Sequence, residues 1–230
     1  MQTRGTAHAV ERATTTIKNS YAGTRSARGD EVTGTTWKQH PPPEREHMTT
    51  EPTPGLLGGV AGAKYRVHIA TDHAGLELSQ TLQRELTNLG YEVVDNGPTT
   101  FDPQDDYPGF CITAAENVAR DLQDNRPSLG IVLGGSGNGE QIAANKVRGI
   151  RAALVWNEST ARLARQHNDA NVIALGAREH TPEECLRLAV LFLQEPFTSD
   201  SRHQRRIGQI AEYESCRTPS MCGLLNKRLA

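Results

Sequence analysis

The stretch Gly134-Gly-Ser-Gly-Asn-Gly-Glu140 constrains this chain more than any other part of it. It is entered from Ser128-Leu-Gly-Ile-Val-Leu133, a short apolar run between Pro127 and Gly134 with the length and composition of a buried strand. It leaves through Gln141-Ile-Ala-Ala-Asn-Lys-Val147, a good helix former. A glycine-rich turn thus joins a strand to a helix N-terminus. There the backbone N–H groups lack partners and the helix dipole is positive, so an anion or a developing oxyanion is favoured. Glycines let the backbone come close to a ligand. Glu140 closes the loop, and a carboxylate suits a phosphate cradle poorly because like charges repel. It suits proton abstraction beside a stabilised oxyanion. Nucleotide motifs do not fit: no Lys-Ser/Thr follows the last glycine, and Gly135, Gly137 and Gly139 are spaced G-x-G-x-G. The plain alternative is a tight turn that binds nothing.

Around this loop, strand and helix patterns alternate from Lys64 onward. Strands are expected at Tyr65–Ala70, Tyr91–Asp95, Ser128–Leu133, Arg151–Trp156 and Asn171–Leu175. Helices are expected at Leu76–Leu89, with Gly90 as a stop, and then over about 109–122, 141–147, 158–167, 182–194 and 200–216. This order implies an α/β, Rossmann-like three-layer fold with a five-stranded parallel sheet. Ligands of such sheets bind outside the carboxyl ends of the strands. That gathers Asp72-His73, the glycine loop, Trp156-Asn157 and Gly176-Ala-Arg178 in one place.

Composition sets the outer limits. A chain of 230 residues carries one sizeable domain, or two. A net charge of −2 argues against a general nucleic-acid binder, and no apolar run is long enough to span a membrane. Residues 1–63 are rich in Thr, Ser, Gly, Arg and Pro, with Pro41-Pro42-Pro43, and read as a disordered or weakly ordered extension. They lack the apolar stretch of a secretory signal. Their basic, Ser/Thr-rich start faintly resembles an organelle transit peptide, and Met48 is a second candidate start. Residues 64–217 form the expected domain and 218–230 a flexible tail. Cys111, Cys185, Cys216 and Cys222 make no C-x-x-C pair and no zinc pattern, so buried thiols and a reducing cytoplasm are the simple inference.

Several polar residues sit oddly for a bare scaffold. Asp72 and His73 end the first strand, where Asp72 is also a natural helix N-cap. Gln166-His-Asn-Asp-Ala-Asn171 precedes the fifth strand, and Arg178 follows it. Arg202 and Arg206, four apart on the last helix, share a face and are able to clamp one phosphate, unless that face is simply solvated. The expectation is that base, imidazole and arginines meet at one strand-end face.

With these residues in hand, the chain from about 65 to 217 resembles ribose-5-phosphate isomerase type B, a family that also contains galactose-6-phosphate isomerase subunits. The matching segments are Thr71–Gly75, Asp106–Pro108, Gly134–Glu140, Ile142–Lys146, Arg165–Asn171, Gly176–Arg178 and Arg202–Arg206. Many members place a cysteine base where this chain has Gly134, so the resemblance is to the actinobacterial branch that uses the loop's glutamate. It implies an aldose–ketose isomerase of the pentose phosphate pathway, without metal or organic cofactor. Glu140 is the implied base, with Ser136 and the N–H groups of Gly135, Gly137, Asn138 and Gly139 stabilising an enediolate. His167 is implied to open the sugar ring, with Asp72 nearby and Asn168 on sugar hydroxyls. His73, Arg178, Arg202 and Arg206 are implied to meet the phosphate. A homodimer, or a dimer of dimers, is implied, with the C-terminal helix at the dimer contact and shared active sites. An isomerase of a hexose or tetrose phosphate is the alternative within the class. A non-catalytic phosphosugar-binding module would have no use for Glu140. A flavodoxin-like domain would want hydroxyls at Asp72-His73 and more than 5% aromatic residues.

Overall fold

The computed structural model describes residues 65–216. The expected extension 1–63, the tail 218–230, Met48 and Cys222 lie outside the described residues. Five strands are present: β1 (Arg66–Thr71), β2 (Glu92–Asp95), β3 (Ser128–Gly134), β4 (Ala152–Leu154) and β5 (Val172–Gly176). Six α-helices connect or follow them: α1 (Leu76–Asn88), α2 (Tyr107–Gln123), α3 (Asn138–Ala144), α4 (Glu158–Asn168), α5 (Pro182–Gln194) and α6 (Ser201–Ser215). A short 3-10 turn, His73–Gly75, sits between β1 and α1. The sheet is parallel throughout, in the order β2-β1-β3-β5-β4, as the alternating pattern requires.

Period-two alternation sends successive side chains to opposite faces. Val67 and Ile69 of β1, Leu129, Ile131 and Leu133 of β3, and Ile173 and Leu175 of β5 join one core, with Leu82 and Leu86 of α1, Ala161 of α4 and Phe192 of α5. Ala70, Val132, Val172 and Ala174 face the other, against Cys111, Ala115 and Val118 of α2 and Ala144 of α3. The layers are therefore α1, α4 and α5, then the sheet, then α2 and α3. At Gly130 a Cβ would stand 3.0 Å from Val172 and 3.1 Å from Val118, so its absence lets α2 lie close on the sheet.

The topology also decides where a ligand can go. The chain leaves β1 for the α1 face, and it leaves β3, the neighbour of β1, for the α3 face. Adjacent connections that diverge open a crevice at the carboxyl ends of these two strands.

Short polar residues finish the edges and turns. Asn157 N-caps α4 in a capping box with Thr160, which gives a structural role to a segment the resemblance left unassigned. Asn145 bonds both main-chain groups of Ala152 in the edge strand β4, Oδ1 accepting from N–H and Nδ2 donating to C=O, each at 2.8 Å. No described helix is long and apolar enough to cross a membrane.

Phe192 has no exposed surface and carries the buried Arg165 guanidinium over its ring at 5.9 Å. Phe192→Ala should lower unfolding free energy by about 3–5 kcal/mol, the usual cost of emptying an aromatic core site. Urea denaturation of the two proteins checks this.

Candidate active site

At the head of the crevice, Asp72 follows β1 and caps the 3-10 turn, its side chain accepting the Ala74 N–H at 2.9 Å. Cap and site residue are thus the same side chain. Across from it, β3 ends at Gly134 and the loop turns through Gly137, whose φ of +79° suits glycine. Helix α3 begins at Asn138, earlier than the sequence suggests. Glu140 therefore lies in the first turn of the helix and not at the end of a loop. Its proximity to the helix N-terminus is part of its environment.

Glu140 is 95% buried, at 5% exposure. A Cβ built on Gly134 would fall 1.7 Å from its Oε1 and 2.2 Å from its Cδ. The carboxyl group occupies the volume that any side chain at position 134 would need. Burial pushes its pKa above the ordinary 4.5, Asp72 adds to the rise, and the residue's own backbone N–H works against it. A base that titrates nearer neutrality follows from those surroundings.

The glycines make room for specific neighbours. At Gly139 a Cβ would lie 2.5 Å from the Tyr107 ring, so Tyr107 of α2 rests directly on the first turn of α3. At Gly135 it would lie 3.4 Å from the Arg178 guanidinium, which covers this part of the loop. The segment after β5 is tied on by Ala177 N–H to Gly134 C=O at 2.8 Å and Arg178 N–H to Gly135 C=O at 3.0 Å. Ser136 is exposed, and its Oγ accepts from the backbone and side-chain nitrogens of Asn138 at 3.4 and 3.2 Å.

A cleft of about 510 Å³ results, lined by Asp72, His73, Ala74, Tyr107, Gly135, Ser136, Gly139, Glu140, Arg178 and Glu179. Seven residues singled out from the sequence are thereby brought together. Gly137 lies buried beneath the loop, and Asn138 lines an adjoining cavity of about 360 Å³ with Trp156 and His180. Donor atoms of Asp72, His73 and Asp105 lie within 4.8 Å of one another. Asp105 Oδ1 and His73 Nδ1 are 2.7 Å apart, the separation of partners sharing a proton, and Asp72 is engaged as a cap. Asp105 and His73 are thus engaged with each other and Asp72 with the backbone. Cys111, behind Glu140, has its thiol pushed up to about 12, by burial first and then by Glu140 and Asp72, so it supplies no thiolate.

Four expected site residues are elsewhere. His167 and Asn168 end α4, just ahead of β5, and so stand at the amino edge of the sheet. Strand β5 alone separates that edge from Arg178 by roughly 15 Å, five residues at about 3.3 Å each. The single strand-end constellation expected from the sequence is not formed within one chain, because His167 and Asn168 precede a strand and Arg202 and Arg206 lie on α6, whereas Asp72, Glu140 and Arg178 follow strands. A second cluster forms instead. The His167 ring stacks on that of His203 in α6, centroids 4.3 Å apart and planes 14° apart, with exposed Arg202 and Arg206 on the same helix. His203 is buried, and burial, then His167 and Arg202, hold its pKa below the ordinary 6.5. The other polar residues of the Arg165–Asn171 segment are structural. Arg165 donates to Ala170 C=O at 2.6 Å. Asp169 takes the left-handed conformation after α4. Asn171 holds Arg151 N–H and Gly149 C=O, each at 2.8 Å.

Comparison with known proteins decides the family. A family model described as Ribose/Galactose Isomerase matches residues 67–210, which contain both clusters. The chain belongs to that ribose/galactose isomerase family. Ribose-5-phosphate isomerase B of Mycobacterium tuberculosis (strain ATCC 25618 / H37Rv) is 52% identical over 149 residues, 65% of this chain and 90% of that protein. The protein of the same name from Mycolicibacterium paratuberculosis is 51% identical and covered to 91%. Among solved structures, ribose-5-phosphate isomerase B from Mycoplasma genitalium, with bound ribulose-5-phosphate, superposes with a TM-score of 0.63 at 41% identity, covering 68% of this chain and all of that one. The Clostridium thermocellum ribose-5-phosphate isomerase B gives 0.60 at 40% identity, over 65% and 97%. In this member of the ribose/galactose isomerase family, sequence reasoning passed over Tyr107, Glu179 and His203. Tyr107 had a signal, since it lies in the quoted Asp106-Tyr-Pro108 segment; His203 stood between the two arginines that drew attention.

The steric relation of positions 134 and 140 is open to test. In Gly134→Ala the far end of a buried side chain must yield, so stability should fall by about 1–3 kcal/mol and the protein should still fold. The displaced carboxylate should cost turnover about a hundredfold or more, the scale of a mispositioned base. Thermal melts and steady-state kinetics separate the two effects. Iodoacetamide should leave wild-type turnover intact, since the buried Cys111 and Cys185 thiols are pushed up to about 12 and about 11.

Proposed function

We propose that this protein interconverts ribose 5-phosphate and ribulose 5-phosphate through an enediolate. The observation that carries this reading is the buried Glu140 carboxyl, raised in pKa and fixed over Gly134 beside a glycine-rich helix start. With the open-chain aldose in the cleft, Glu140 removes the proton from C2 while the carbonyl oxygen at C1 gains electron density. Backbone N–H groups of the loop and the Ser136 hydroxyl stabilise that oxyanion. The proton of the C2 hydroxyl passes to the C1 oxygen, Glu140 returns its own proton to C1, and the C2 oxygen becomes the carbonyl of the ketose. Arg178 and His73 lie at the cleft to receive the phosphate. Neither metal nor organic cofactor enters the chemistry.

We propose further that the working unit is a homodimer with shared sites. The cleft of one chain offers His73 and Arg178 against Asp72, Glu140 and Glu179, a poor match for a dianion. Arg202, Arg206, His167 and Asn168 of a second copy would redress that balance and add the ring-opening imidazole. Buried Cys111 and Cys185 without a disulfide fit a cytoplasmic setting.

Glu140→Ala should reduce turnover by about two to four orders of magnitude, with KM changed far less. The acid limb of the wild-type pH profile should lie above pH 4.5, because a raised carboxyl pKa keeps the base protonated until pH climbs past it. A coupled assay across pentose, hexose and tetrose phosphates tests the substrate, and preference for a hexose or tetrose phosphate would refute the ribose reading. Mixing Glu140→Ala with His167→Ala tests the shared site. Each alone should be nearly inactive in the aldose direction. Random exchange should restore about a quarter of wild-type activity, because each mixed dimer regains one intact site. No recovery on mixing would place both residues in one chain's site.

A further inference from the structure

His73 lines the cleft, and its ring is held by a residue with no role so far. Asp105 lies just ahead of α2, beside the N-cap Asp106. Its Oδ1 accepts two bonds from His73, the backbone N–H at 2.9 Å and ring Nδ1 at 2.7 Å. One oxygen gripping main chain and ring together leaves the imidazole little rotational freedom. With Nδ1 committed as donor, Nε2 is the nitrogen left for a ligand. The Phe101 ring stands edge-on to the imidazole at 6.4 Å. The Asp105 side chain is only 11% exposed, and its Oδ2 is buried with no hydrogen-bond partner. A carboxylate so poorly served by donors needs an adjacent positive charge.

We infer that Asp105 is a positioning residue, which clamps the His73 ring with Nε2 left for the substrate and keeps it an imidazolium for the phosphate. This rests on the reading of His73 as a phosphate ligand. Around the cleft stand Asp72 beside His73, Tyr107 on α2, Glu140 on α3, and Arg178 and Glu179 after β5. Among the described residues only Asp105 hydrogen-bonds the ring. That bond is the largest cause raising His73 above its ordinary 6.5; burial opposes it and Asp72 adds to it. The charged form therefore persists as pH rises past 6.5 and is lost only through the higher folded value.

The experiment combines NMR titration of the His73 ring in the full chain with kinetics and inorganic phosphate inhibition. The wild-type midpoint should lie above 6.5, and in Asp105→Asn it should fall toward 6.5. At a pH between the variant midpoint and the wild-type midpoint that the titration finds, the variant should show KM and the phosphate inhibition constant raised severalfold, with kcat changed less than about threefold. Near pH 6 both should return toward wild type, since His73 then protonates unaided. A merely structural role would give a loss independent of pH, and that result overturns the proposal. So does a wild-type midpoint at or below 6.5, which needs no variant to fold. A tenfold loss in His73→Ala with unaltered Asp105→Asn would overturn the clamp alone. Unchanged KM and phosphate inhibition in His73→Ala would overturn the phosphate role of His73, and the clamp's purpose with it, however high the NMR midpoint.

Discussion

The pairing of β1 with β3 governs this molecule. Six residues of each strand lie in register, from Arg66 opposite Ser128 to Thr71 opposite Leu133, so both strands deliver their ends to the same level. Because the chain then departs to opposite faces of the sheet, none of the described segments closes the space above them. Asp72 and His73 stand on one side and the glycine loop on the other. The pairing of the residues after β5 with Gly134 and Gly135 closes the third wall and brings in Arg178. The cleft is thus a property of the strand order before it is a property of any side chain.

Within that cleft one volume is contested. A side chain at position 134 and the Glu140 carboxyl cannot both occupy it. Relatives with a cysteine at the first loop position would have to place the glutamate's counterpart differently. In this chain the missing side chain and the inward carboxylate form a single arrangement, and neither residue is interpretable alone. Burial raises the carboxyl pKa while the helix start opposes full neutralisation, a balance suited to a group that must both take up and return a proton.

Much of the fold was legible because its signals are local. Alternation of strand and helix patterns implied the parallel sheet, and α5 begins and ends where Pro182 and Gln194 suggested. The shortfalls have physical causes. Asn138-Gly-Glu140 read as loop because glycine is a weak helix former, yet packing against Tyr107 and the sheet holds it in the first turn of α3. Asp105 was invisible because its value depends on meeting His73, 32 residues away. His167 was expected to meet Glu140 although its segment precedes the fifth strand. Chemistry alone grouped it with Glu140, whereas its place before β5 separates them.

The treatment of β4 bears on solubility. A parallel sheet ends in strands whose outer N–H and C=O groups are able to recruit a foreign strand, the route to edge-to-edge aggregation. β4 is only three residues long, and the Asn145 side chain occupies the outward N–H and C=O of Ala152 much as a neighbouring strand would. β2, at the other edge, exposes Glu92 and Asp95 at its two ends. The amide side chains of Asn145 and Gln141 and a pair of carboxylates thus protect the sheet from templating its own extension, which leaves the described helices as ground for orderly self-association.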